Sequence, residues 1–72
     1  MNKEQFLDAF KEILQTDENI ALNTVLDDLE EWDSLAKMAT TSFVDKELNF
    51  KLTFSDYEKI QTVQDLMNKI GV

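Results

Sequence analysis

The chain has no cysteine, no histidine and no proline, and only one glycine in its 72 residues. Without cysteine there is no disulfide and no thiolate ligand; without histidine there is no imidazole to complete a zinc site or to serve as a general base. The core must therefore come from packing alone. A single glycine and no proline leave few residues for the positive-φ turns that hairpins favour, so a mostly helical fold is the economical reading. No apolar run approaches the roughly 18 residues of a spanning helix, and no basic, apolar leader opens the chain. A cytoplasmic protein with no membrane insertion is expected.

Positive charge is also scarce. Seven lysines face fifteen acids, for a formal net charge of −8. Between Lys11 and Lys37 lie eight acids and no basic residue: Glu12, Asp17, Glu18, Asp27, Asp28, Glu30, Glu31 and Asp33. Nucleic acid and anionic membrane surfaces are disfavoured as partners, because no basic stripe exists to meet them. Basic protein surfaces are the natural complement, unless the acids simply keep a small protein soluble. The acidic run lacks the spacing and glycine of an EF-hand loop, so no dedicated metal site is expected, only loose binding of a divalent ion.

What remains is 43% hydrophobic, enough for one globular domain over residues 1–72. A domain this small buries only about 60% of its unfolded surface. Phe6, Leu7, Phe10, Ile13 and Leu14 recur at helical spacing and predict a helix over 2–15, capped by Asn2 with Gln5 reaching back. Residues 16–33 form a long connection with apolar anchors Ile20, Leu22, Val25, Leu26, Leu29 and Trp32, where Thr24 and Asp27 are placed to cap a short turn. A second helix is expected from Ser34 to Leu48, capped by Asp33, with Leu35, Met38, Ala39, Ser42 and Phe43 as its inward stripe and Val44 and Leu48 extending it. Phe50, Leu52 and Phe54 alternate as in a strand, but no partner strand exists, so they are read as loop anchors or pocket walls. Thr53 with Asp56 predicts a short helix over about 54–59. Thr62 with Asp65 opens a last one, with Val63, Leu66, Met67 and Ile70 inward and Gly71 as its C-terminal cap. The fold class is all-α: three main helices, one short helix and a long first loop.

Ser34 carries the chemical interest. It is a hydroxyl at a helix start, and the chain holds no imidazole to activate it. A serine hydrolase is disfavoured on that ground and no catalytic residue is assigned. A serine without a base suits a protein that is modified by another enzyme.

Laid out in this way, the chain resembles the acyl carrier proteins, the phosphopantetheine-bearing carriers. The resemblance rests on Asp33-Ser34-Leu35 after an acidic loop containing Leu26, Asp28 and Leu29, on the acid-rich helix end Asp45-Lys46-Glu47-Leu48, and on the block from Glu58 to Asp65. It runs nearly the whole chain. It implies that Ser34 is the attachment site of 4′-phosphopantetheine, donated by coenzyme A through a separate phosphopantetheinyl transferase, usually with Mg²⁺. The arm's thiol would hold an acyl or aminoacyl group as a thioester. Further partners implied are a loading ligase and a downstream acyltransferase or synthase, with the carrier a monomer and not itself an enzyme. A phosphodiester at a helix N-terminus is well placed, worth about 0.3–1 kcal/mol at an exposed end, with Asp33 opposing it. An unmodified acidic adaptor that keeps the carrier fold is the alternative reading.

For partner recognition the resemblance points to Asp33, Leu35, Lys37 and Met38, with core packing the default for Leu35 and Met38. Trp32 is either a core anchor for the loop, the preferred reading, or a flank read by a partner. The chain also departs from the fatty-acid carriers. Glu31 stands where they usually have glycine; Ala36, Lys37 and Ala39 thin the acidic face of the second helix; and Thr40-Thr41-Ser42 replaces an aliphatic run. A buried hydroxyl suits an alkyl chain poorly. Short or polar cargo in a specialised pathway is expected.

Overall fold

A computed structural model describes all residues from Met1 to Val72. The helices are α1 (Lys3–Leu14), α2 (Ser34–Leu48), α3 (Phe54–Lys59) and α4 (Val63–Ile70), with one 3₁₀ turn at Leu26–Asp28 between α1 and α2. No strand forms; one antiparallel bridge joins Val25 to Thr62.

Local side-chain chemistry sets the helix starts. The Asn2 side chain accepts from the Gln5 amide while the Gln5 side chain accepts from the Asn2 amide. Thr53 with Asp56 and Thr62 with Asp65 repeat this reciprocal arrangement. Each such cap contributes about 1 kcal/mol. Three helices close on a residue in the left-handed region: Gln15 (φ 54°), Asn49 (φ 54°) and Gly71 (φ 83°). The single glycine serves the last of these, and the first two bear the strain that a side chain meets there.

Phe6, Phe10 and Leu14 of α1 pack with Leu26, Val44, Leu52 and Tyr57, and with the four buried residues of α4, Val63, Leu66, Met67 and Ile70. The long connection is bound to α4 by its backbone. The Leu26 amide donates to the Gln61 carbonyl (2.9 Å), Val63 to Thr24 (3.0 Å) and Gln64 to Leu22 (2.8 Å). Leu26 is fully buried, whereas Val25, expected as an anchor, is exposed. Thr24 does not cap the 3₁₀ turn: its hydroxyl accepts from the Ala21 amide (2.9 Å) instead, tightening the preceding turn.

The inward face of α2 differs from expectation. Ala36, Thr40 and Val44 face the core, with Phe43 and Leu48 half-buried beside them. Leu35 is 76% exposed and Met38 58% exposed, and Ala39 and Ser42 are exposed as well. One residue's rotation about the helix axis, 100°, separates the two stripes. The α2 sequence has apolar residues on every side, so its periodicity does not select a face. Its neighbour does. α1 presents bulky Phe6, Phe10 and Leu14, and the small Ala36 and Thr40 fill the remaining space. Phe54 is likewise 64% exposed and is no loop anchor, while Leu52 is buried and Phe50 packs on the core.

Candidate functional site

Asp33 ends the acidic connection in an extended conformation, and its carboxylate accepts from the Ala36 amide at 2.9 Å. Its carbonyl accepts from the Lys37 amide at 3.0 Å. Ser34 is thereby the first residue of α2, with its side chain exposed. The Ser34 and Leu35 amides carry no hydrogen bond within the chain. Two free N–H groups beside an exposed hydroxyl, at the positive end of a helix, suit an anionic ester on that hydroxyl.

Trp32, two residues before Ser34, is buried. Its ring meets Phe10 edge-on at 5.5 Å and 63°, and Tyr57 at 5.5 Å and 75°. The core-anchor reading of Trp32 is thus the one its packing favours. The ring ties the approach to Ser34 to both α1 and α3. The ammonium of Lys37 sits 5.9 Å from the Trp32 ring centroid, a cation–π contact that draws the side chain back over the loop.

Leu35 and Met38 project from the same end of α2 into solvent. Two clefts flank them. One, between the end of α1 and the start of α2, is lined by Ile13, Leu14, Glu31, Asp33, Leu35 and Ala39 among others. The other, about 240 Å³, lies between α2 and α3, with Met38, Thr41, Ser42, Leu52, Thr53, Phe54 and Tyr57 in its walls. Of the two alternatives for Phe54, loop anchor or pocket wall, its position in this cleft fits the second.

The polar run of α2 divides three ways. Ser42 is exposed. Thr40 is fully buried and its hydroxyl has no hydrogen-bond partner. Thr41 Oγ1 lies 2.8 Å from the Lys37 carbonyl and 2.7 Å from Tyr57 Oη, which in turn donates to the same carbonyl at 3.0 Å. Burial pushes the Tyr57 phenol above its ordinary pKa of 10.0; the Thr41 hydrogen bond pulls it down and the Asp56 charge adds to the rise. Sequence reasoning missed Tyr57 altogether. The only signal was an aromatic residue inside a short capped helix, which ordinary packing explains equally well.

The loop acids diverge: no group of three or more carboxylates converges as a metal site requires. No helix is long and apolar enough to cross a membrane.

Comparison with known proteins agrees with this geometry. The family model described as a phosphopantetheine attachment site matches residues 4–70. A solved structure of a candidate acyl carrier protein from Mycobacterium tuberculosis superposes with a TM-score of 0.76 at 30% identity, covering 94% of this chain and 93% of that one. Among curated proteins, none matches at the level of sequence. Family members bear 4′-phosphopantetheine covalently and act as carriers, not catalysts. With its capped second helix, four-helix fold and match over nearly its full length, the chain belongs to the phosphopantetheine-attachment family of acyl-carrier-like proteins.

Proposed function

We propose that Ser34 Oγ carries the 4′-phosphopantetheine group and that the protein is a dedicated carrier of short or polar acyl groups. The observation that carries the reading is the exposed Ser34 hydroxyl beside the free Ser34 and Leu35 amides, within Asp33-Ser34-Leu35 of a family member. When bound, the group supplies a terminal thiol on which cargo is held as a thioester. The chain's own residues do the rest. Asp33 fixes the start of α2, the two amides face the phosphodiester, and Trp32 holds the preceding loop against the core.

The partners are a phosphopantetheinyl transferase, a ligase that loads the arm, and an acyltransferase or synthase that unloads it. The exposed Leu35 and Met38, with Asp33 and Lys37, form the surface these enzymes read. No acid lies in α2 before Asp45, so beyond Asp33 the docking face near Ser34 is apolar with one basic residue, Lys37. That distinguishes its partners from enzymes that grip an acidic helix, and a specialised pathway follows. Trp32, being buried, acts by positioning and not by contact.

Intact mass spectrometry tests the reading. Incubation with coenzyme A, Mg²⁺ and a broad-specificity transferase should add one phosphopantetheine to the wild type and none to Ser34→Ala. No gain across several transferases would make the protein an unmodified adaptor. A gain that persists in Ser34→Ala would put the attachment elsewhere.

A further inference from the structure

Thr41, Tyr57 and the Lys37 carbonyl form a triangle with sides of 2.7, 2.8 and 3.0 Å. Three contacts join them, but the two hydroxyls have only two protons between them. Tyr57 is protonated across the physiological range, since burial raises its pKa from 10.0. Whichever way the hydroxyls turn, satisfying the triangle uses both protons inside it. What the pair offers a third group is lone pairs on Thr41 Oγ1 and Tyr57 Oη. A buried acceptor of this kind takes a donor and repels another acceptor.

Thr41 and Tyr57 line the α2–α3 cleft, with no charged side chain among its walls. Ser42 and Thr53 also bring hydroxyls, but both are exposed and discriminate little between donors and acceptors. Phe54, 64% exposed, adds an open aromatic surface, and aromatic faces attract cations. Lys37 is not among the walls of this cleft; its ammonium lies 5.9 Å from the Trp32 ring centroid, and the side chain lines a neighbouring cleft with Asp27, Glu58, Phe54 and Tyr57. The whole chain adds a field of net charge −8, which favours a cation and opposes a carboxylate.

The cleft is also placed to receive what Ser34 carries. Ser34, Met38 and Thr41 are spaced i, i+4, i+7, so they share one face of α2, and Thr41 lies about 10 Å along the axis from Ser34. At about 240 Å³ the cleft is larger than the roughly 150 Å³ that houses a benzene ring, enough for a short acyl group.

We propose that this cleft binds the amino end of a short aminoacyl cargo as its ammonium, with Thr41 Oγ1 and Tyr57 Oη as acceptors and Phe54 as the aromatic wall. The inference rests on the carrier reading of Ser34 and selects among the cargoes that reading allows. Neutral acyl groups gain only apolar contact there, and dicarboxylic half-thioesters meet lone pairs and net negative charge.

Loading with hydrolysis-resistant coenzyme A analogues tests it without any partner enzyme. Three arms are compared, ending in amide-linked alanyl, propionyl and succinyl groups, each confirmed by intact mass. The readouts are the ¹H–¹⁵N amide shifts of Met38, Thr41, Phe54 and Tyr57 and the melting temperature. The alanyl form should perturb these amides and raise the melting temperature relative to the propionyl and succinyl forms. Tyr57→Phe and Thr41→Val should each weaken that difference, and the double variant should abolish it. Equal perturbation by the propionyl arm, a larger one by the succinyl arm, or an alanyl effect that survives the double variant would overturn the proposal. The wild-type cargo series needs no variant to fold. Failure to attach any arm at Ser34 would overturn the carrier reading itself, and the mass spectrum separates that failure from the others.

Discussion

The indole of Trp32 stands edge-on to the phenol ring of Tyr57, centroids 5.5 Å apart and planes at 75°. The contact joins the end of the long first connection to the short third helix across a separation of 25 residues. It makes one structural unit of the approach to Ser34 and the wall of the α2–α3 cleft. Phe10 completes it on the other side of the indole, at 5.5 Å.

Removing that ring should be severe. Trp32→Ala is expected to destabilise the protein by about 3–5 kcal/mol, comparable with the whole stability of many small domains. Trp32→Phe, which keeps an aromatic surface, should lose clearly less. Urea unfolding followed by far-ultraviolet circular dichroism checks both. A Trp32→Ala variant as stable as the wild type would mean that the ring serves the surface and not the core.

Thr40 is expected to respond in the opposite direction. Its buried hydroxyl lacks a partner, and leaving such a group unsatisfied costs about 1–3 kcal/mol. Valine has the same shape without the hydroxyl. Thr40→Val should therefore raise stability by about 1 kcal/mol, a gain of about 4–8 °C in melting temperature for a domain of this size. A loss of stability in this variant would show that the hydroxyl is satisfied in solution.

Acid should undo the caps of α3 and α4. The Thr53 amide, donated to the Asp56 carboxylate, holds its pKa below the ordinary 3.8, with further help from Thr53's side chain and Lys69. For Asp65 the Thr62 amide is the main cause and the Gln61 amide the next. A carboxylate whose pKa is depressed on folding stabilises the fold above its unfolded pKa, and that contribution is lost as pH falls through the folded value. An Asp56→Asn/Asp65→Asn variant keeps the acceptors and removes the charges. Its urea midpoint should lie below wild type at about pH 6, with the gap closing toward about pH 2. The difference cancels the repulsion among the other acids, which protonation relieves in both proteins. A gap that does not change with pH would mean that the charges contribute nothing at the caps.

Salt should stabilise the fold. One ion pair is present, Lys69 to Asp56 at 3.4 Å, and none involves the eight acids between Lys11 and Lys37. Their mutual repulsion acts over about 30 Å at 0.01 M salt and about 8 Å at 0.15 M. The melting temperature should climb across that range, and a flat profile would show that the repulsion is negligible.

The parts of this fold written in short-range chemistry were legible from the chain. The boundaries of α2 and α3, three reciprocal caps, Asp33 as the cap of α2 and Gly71 as the C-terminal cap of α4 all depend on bonds between residues three or four apart. The inward stripe of α4 was equally plain, because its apolar residues occupy one side only. α2 was not readable in that way. Its apolar residues surround the axis, and helical spacing alone points Leu35 and Met38 inward although both lie in solvent. Tyr57 escaped notice because its partners, Thr41 and the Lys37 carbonyl, are 16 and 20 residues away.

By itself, then, the sequence determined the helices, their caps, the acidic connection and the position of Ser34 at a helix start, since each rests on neighbours along the chain. Only the tertiary structure decided which side of α2 turns inward, how Trp32 and the Val25–Thr62 bridge anchor the connection, and that Thr41 meets Tyr57 in the wall of a cleft. Those outcomes depend on the bulk that α1 and α3 present to α2, and helical periodicity carries no record of a neighbour's shape.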